Sequence, residues 1–287
     1  MSMQRAILPA FLITAALFAG CAGSDVSGSG AAAPVTDAAT LAAIDKALAG
    51  DHRSAANRAR DAYRHPKETL AFFGLRQDMT VLEVWPGGGG WYTEVLAPLL
   101  RDQGSYIGAG FDPKVDSKYQ QDGIKAFADK LASRPDVYDR ATVTALQYPG
   151  AMQPVPDGSV DMVLTFRNLH NWMSRDAAGP MLAAMFRALK PGGILGMVEH
   201  RASDRNPQDP HAKSGYVRED YAIVLAKAAG FRLVGKSSVN ANPKDTRDYP
   251  QGVWTLPPTY REGDVNREHY TAIGESDRFT LRFQKPL

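Results

Sequence analysis

Thr80-Val81-Leu82-Glu83-Val84-Trp85-Pro86-Gly87-Gly88-Gly89-Gly90-Trp91 reads as strand, tight turn and helix start, and the fold follows from it. Val81–Trp85 is a short run of the β-branched and bulky apolar residues that strands favour. The four glycines after it carry no Cβ, so a ligand can approach the backbone closely. N–H groups at the start of the next helix have no partner within it and point into that space. A glycine-rich turn alone also fits dinucleotides and phosphates. No phase of this loop satisfies G-x-G-x-x-G, and the loop carries no Gly-Lys-Ser or Gly-Lys-Thr, so it is neither a dinucleotide fingerprint nor a P-loop.

Downstream, short apolar runs alternate with helical stretches, the pattern of a largely parallel sheet covered by helices. The expected strands are Val81–Trp85, Tyr106–Phe111, Thr142–Leu146, Val160–Phe166, Ile194–Glu199, Phe231–Ser238 and Arg278–Phe283. Helices are expected over Trp91–Arg101, Lys118–Ala132, Ala177–Leu189 and Glu219–Ala229, with Lys190-Pro191-Gly192-Gly193 as a turn into the fifth strand. Upstream, Leu41–Leu48, Ser54–Tyr63 and Lys67–Phe73 read as helices, with His65-Pro66 breaking the chain between the last two.

This ordered series resembles the class I S-adenosylmethionine-dependent methyltransferases, whose first motif is an acid, a short spacer and a glycine-rich loop. Glu83 matches the acid that faces the methionine amine of the cofactor. Gly87, Gly88 and Gly89 match the loop, and Asp112 matches the acid that binds the ribose hydroxyls. Pro156-Asp157-Gly158-Ser159-Val160-Asp161 leads into the fourth strand as in that superfamily, and Leu189–Gly193 matches the turn before the fifth. Over about residues 60–287 the resemblance implies a Rossmann-like α/β fold. Its sheet would be seven-stranded and mostly parallel, with helices on both faces and an antiparallel last strand. The implied cofactor is S-adenosylmethionine, with Asn168 joining the cofactor residues. Trp85 stands where the superfamily has its first loop glycine, and Gly90 is an extra residue before the helix. More narrowly, the loop with Arg167–Trp172 and Gly274–Arg278 is similar to a group of exported bacterial predicted methyltransferases.

Methyl transfer from a sulfonium is an in-line displacement that needs alignment and, for some acceptors, a base. Arg167-Asn168-Leu169-His170-Asn171-Trp172 follows the fourth strand, where an open α/β sheet exposes its carboxyl ends to ligand. His170 is a candidate base, and Asn168 or Asn171 could orient an acceptor. The competing reading is that His170 and Trp172 only pack the turn. Glu199-His200-Arg201 ends the fifth strand on the same rim, with His200 a third catalytic candidate or part of a charged loop root. His65 reads as a capping or packing residue. The six histidines are scattered, so no metal site is expected. Residues 240–274, rich in aromatics and prolines, are either a lid or acceptor-binding wall, or a surface wrap.

The N-terminus points elsewhere in the cell. Ala6–Gly20 is an apolar stretch shorter than a membrane span, preceded only by Arg5 among charges, and reads as a signal peptide over 1–20. It runs into Leu17-Phe18-Ala19-Gly20-Cys21, which resembles a bacterial lipobox, so Cys21 is the expected lipidation site. Residues 21–40 read as a flexible tether, and 41–287 as the methyltransferase-type domain with a helical cover over 41–75. The expected location is the periplasm, lipid-anchored to the outer membrane. Cys21 is the one cysteine, which excludes disulfides, zinc–thiolate sites and a cysteine nucleophile from the domain. A net charge of +2 without basic runs excludes a nucleic-acid footprint and leaves small molecules or protein surfaces as partners. Three functions follow: a methyltransferase on a small or envelope-associated acceptor, a non-catalytic binder using the same pocket, or an envelope interaction protein. Export complicates the first, because S-adenosylmethionine is made in the cytoplasm.

Overall fold

A computed structural model describes residues 35–287. The expected signal peptide, Cys21 and the tether before Val35 lie outside the described residues. Helix α1 (Ala38–Ala49) begins inside the stretch expected as tether, because Asp37 caps it by accepting from the Thr40 N–H at 2.7 Å. The expected helix over 54–63 is two short ones, α2 (Ala55–Arg58) and α3 (Asp61–Arg64). Helix α4 (Pro66–Phe73) starts on a proline at its first position and stops at Gly74, whose φ of +78° suits only glycine well.

The remainder alternates as expected. Strand β1 (Thr80–Val84) is followed by α5 (Thr93–Leu100), β2 (Ser105–Gly110), α6 (Lys118–Ser133), the short α7 (Pro135–Tyr138) and β3 (Thr142–Ala145). Then come β4 (Val160–Phe166), α8 (Leu169–Met173), α9 (Ala178–Ala188), β5 (Leu189–His200), α10 (Glu219–Ala228) and β6 (Arg232–Ser237). A 3-10 turn (Gly252–Thr255), α11 (Arg267–Ile273) and β7 (Arg278–Gln284) complete the chain. Lys190–Gly193 is not a separate turn: it lies inside β5, where the register against β4 shifts between Val160 and Met162. The Gly192 N–H donates to the Lys285 carbonyl there, so the segment keeps its backbone paired while bulging.

The seven strands run β3-β2-β1-β4-β5-β7-β6, parallel except for β7, which is antiparallel to both neighbours. Successive residues of β1 face opposite sides and so build two cores. Leu82 and Val84 join Val163, Leu195, Phe279 and Leu281 beneath α9, which presents Met181, Leu182 and Met185. Val81 joins Met162, Leu164 and Ile194 under α1, α4 and α5, which supply Ile44, Leu70, Phe73, Val95 and Leu96. Each such fully buried side chain contributes about 1.5–3 kcal/mol by leaving water. Crossovers diverge between β1 and β4, and a crevice opens outside the carboxyl ends at that point. Among the described residues no helix is long and apolar enough to cross a membrane.

Candidate functional site

Beyond Val84 the chain turns sharply through Trp85, which adopts φ +51°. A left-handed backbone costs a bulky L-residue on the order of 1–2 kcal/mol. The indole offsets this: Nε1 donates to the Leu146 carbonyl at 2.7 Å, and the ring packs on Phe111 and Trp172 at 4.8 and 5.9 Å between centroids. The indole thus reaches from the end of β1 to the end of β3.

The four glycines do different work. A Cβ on Gly88 would meet the Ala126 Cβ of α6 at 2.9 Å, and one on Gly90 would crowd Lys130, Thr93 and Phe127 at 3.1–3.2 Å. At Gly87 and Gly89 a Cβ would meet nothing within 4 Å. So Gly88 and Gly90 let α6 approach, while Gly87 and Gly89 leave an open side. A cavity of about 320 Å3 lies beside this loop, walled by Trp85, Gly88, Phe111, Phe127, Val143 and Ala145. Its walls are almost wholly apolar. Asp112 stands at its rim between two lining residues, Phe111 and Pro113; its Oδ1 accepts from the Lys114 N–H at 2.9 Å.

Glu83 lies deeper than its matched role implies. It is buried, and its Oε2 accepts from the Tyr106 and Thr93 hydroxyls at 2.7 and 3.0 Å. Burial pushes its carboxyl up to about 7, against the lowering effect of those two hydroxyls and of Arg167. Asn168 is likewise committed: its Nδ2 donates to the Val84 carbonyl and the Thr165 hydroxyl, which ties the ends of β1 and β4 together. His65 takes φ +40° between α3 and α4 and makes no side-chain cap bond.

The fold joins the other two candidates through an acid that the spacing did not reveal. Glu199 Oε1 lies 3.0 Å from His170 Nδ1 and accepts the His200 backbone N–H at 2.8 Å, while its Oε2 accepts the His170 backbone N–H at 3.2 Å. A carboxylate at Nδ1 selects the tautomer that leaves the Nε2 lone pair free. His200 Nδ1 is 2.5 Å from the Ser276 hydroxyl. Burial, with His170, Arg278, Arg167 and Arg64 adding to it, holds His200 well below the usual imidazole range, so it stays neutral. Arg201 instead serves structure, facing Glu219 and Asp277 at 3.5 and 3.6 Å.

His170, Glu199 and His200 have ligand atoms within 4.8 Å of one another, so the histidines are less scattered than the sequence implied. Both Glu199 oxygens already accept N–H donors, and guanidinium groups bear on His200. The set therefore suits holding a proton better than holding a cation. It opens on a second cavity of about 310 Å3 on the same rim, lined also by Arg60, Arg64, Arg167, Arg278 and Glu275. The sequence gives none of these five a role, although Arg167, Glu275 and Arg278 lie in the stretches 167–172 and 274–278. Trp254, Pro257 and Pro258 form its outer wall, so part of the 240–274 segment does border the cavity. Tyr249, Leu256, Tyr260, Tyr270 and Ile273 pack that segment into a small core of its own.

Gly230–Ser237 also fits the spacing of a phosphate-binding P-loop. Its last six residues, Arg232–Ser237, are strand β6 paired with β7, and Lys236 Nζ meets Glu219 at 2.8 Å. No cradle exists there.

Residues 86–197 match the family described as a methyltransferase domain. No curated protein sequence matches the chain. Among solved structures, an S-adenosylmethionine-dependent methyltransferase from Aquifex aeolicus is similar at 16% identity, covering 85% of this chain and 97% of its own, with a TM-score of 0.50. The cyclase SpnF is similar at 19% identity, covering 88% and 98%, with a TM-score of 0.53. One neighbour is named for methyl transfer and one for cyclisation, so the shared architecture does not choose the chemistry. The strand order with its antiparallel β7 and the solved neighbours agree: the chain has the Rossmann-like class I methyltransferase fold, and its residues 86–197 match a methyltransferase-domain family.

Proposed function

We propose that the protein is an S-adenosylmethionine-dependent methyltransferase acting on a small-molecule or envelope-associated acceptor. The observation that carries this reading is the placement of a Glu199-oriented His170 on the same strand-end rim as the open glycine loop. The apolar groove suits an adenine face, Gly87 and Gly89 leave room at the backbone, and Asp112 at the groove's rim suits ribose hydroxyls. When bound, the cofactor supplies an electrophilic methyl group on a sulfonium. His170 takes the proton of the acceptor at Nε2, and Glu199 stabilises the imidazolium so formed. Asn168 holds the ends of β1 and β4 at a fixed distance, and so positions the two halves of the site.

A second reading is a binding protein that holds another flat ligand in the same groove. Trp85 favours it, since its indole spans the strand ends where a glycine would leave them open. Calorimetric titration of the purified chain with S-adenosylmethionine separates the two. Heat that Gly89→Val abolishes supports the first, and no heat at millimolar cofactor removes it.

The chain is further proposed to be exported and lipidated at Cys21, with the domain held in the periplasm. Labelled palmitate should enter the wild type and not Cys21→Ser; equal labelling refutes the anchor.

A further inference from the structure

The cavity beside His170 holds four guanidinium groups, from Arg60, Arg64, Arg167 and Arg278, against one carboxylate, Glu275. Three of the four converge on that carboxylate: Arg60 Nε at 2.5 Å, Arg64 Nε at 3.2 Å, and Arg278. Burial alone would raise the Glu275 carboxyl, but Arg278, Arg64 and Arg60 outweigh it and hold the group well below the usual carboxylate range. Glu275 is therefore fully ionised and fully used. Arg167 has no carboxylate within ion-pair distance among the described residues. Its backbone is also strained, at φ +61°. Arg64 is 3% exposed, and its Nη1 has no hydrogen-bond partner among the described residues. A surplus of buried positive charge is costly unless something negative meets it.

We propose that this cavity is an anion site, in which Arg167, with Arg64 behind it, holds the carboxylate or phosphate group of a small organic acceptor. The chemistry of the walls fixes the rest of the ligand. Trp254, Pro257 and Pro258 offer an apolar face for its organic body, and His170 stands at the same cavity. About 310 Å3 admits a small molecule and not a folded protein. Guanidinium groups bind planar and tetrahedral oxyanions in a fork, which gives orientation as well as attraction. That the anion is the methyl acceptor rests on the methyltransferase reading; that the cavity binds an anion does not.

The test is thermal unfolding of the purified chain in inorganic phosphate or benzoate, against chloride at matched ionic strength. Saturating anion should raise the wild-type Tm by about 5 °C, the scale of ligand linkage for a domain of this size. Arg167→Leu should unfold at a higher temperature than wild type in chloride, because it removes an uncompensated charge, and should lose the anion increment. Arg167→Lys should keep part of the increment, which separates lost charge from lost packing. The larger of the phosphate and benzoate responses identifies the oxyanion. Equal anion responses in wild type and Arg167→Leu, or no response in wild type while S-adenosylmethionine still binds, overturn the proposal. An anion response without S-adenosylmethionine binding keeps the anion site and removes its role as an acceptor site.

Discussion

Replacing Glu83 with glutamine removes one titrating proton from the packing between β1 and α5 while keeping an oxygen for Tyr106 and Thr93. The carboxyl moves from its usual 4.5 in the unfolded chain to about 7 in the fold, chiefly because it is buried. Below 4.5 both states hold the proton and the group is neutral towards stability. Between the two values the native state binds more protons than the unfolded one, so stability falls as pH rises. At about 1.4 kcal/mol for each pH unit, the loss amounts to about 3 kcal/mol once the pH exceeds about 7. Glu83→Gln carries none of this penalty. Its stability relative to wild type should therefore climb by about 3 kcal/mol between about pH 4 and about pH 8. In urea melts that is a midpoint displaced by roughly 1 M, given typical slopes for domains of this size. Every other titrating group is shared by the two proteins and cancels in the difference. A difference that stays flat across this range would show that the Glu83 carboxyl titrates in the native state as it does in the unfolded chain.

The remaining expectations concern packing. Gly88→Val should cost about 1–3 kcal/mol, since its side chain must displace α6 at Ala126, whereas Gly89→Val should leave stability within about 1 kcal/mol; equal thermal shifts would contradict the open side assigned to Gly89. Trp85→Gly relieves the left-handed strain but forfeits the Leu146 bond and two aromatic contacts, for a net loss of about 2 kcal/mol in chemical denaturation; an unchanged midpoint would mean strain and contacts balance. Glu94 is 1% exposed and joins Arg53, Lys130 and Asn57, so Glu94→Ala should cost about 3–5 kcal/mol and raise hydrogen exchange across α1 and α2 first; uniform exchange would show that the cover is not held there.

Local signals were legible wherever one residue type decides a local shape. Val160–Phe166 is a strand with the expected bounds, because a strand buried on both faces reads as a mostly apolar run, here interrupted only by Asp161 and Thr165. Lys190–Gly193 misled, since its glycines serve a bulge and not a break. His170 and His200 could be placed on the rim because one follows a strand and the other ends one. Glu199 could not be assigned, because two strand ends must meet before one carboxylate can hold both. The arginine cavity was less legible still: Arg60 comes before α3, Arg167 from the end of β4 and Arg278 from the start of β7, and only the completed sheet brings them together. Trp85 was visible as a departure, but its compensation at Leu146 lies 61 residues away.

The two halves of the rim make opposite electrostatic demands, and this bears on the order in which ligands enter. A sulfonium donor in the apolar groove would bring another positive charge towards a cavity that already carries a surplus. Two like charges about 8 Å apart repel by about 2 kcal/mol at an effective dielectric constant near 20. An oxyanion beside Arg167 would offset that repulsion, so each ligand should favour the other. Linkage makes the coupling reciprocal: whatever factor phosphate adds to the affinity for S-adenosylmethionine, the cofactor adds to the affinity for phosphate. A coupling of about 1–2 kcal/mol corresponds to roughly a fivefold to thirtyfold tightening in calorimetric titrations run with and without phosphate at matched ionic strength. Arg167→Leu should remove most of it by removing the charge that repels the donor. Affinities that are equal with and without phosphate in the wild type would show that the groove and the cavity do not sense one another, and that the arginine cluster serves something other than the acceptor.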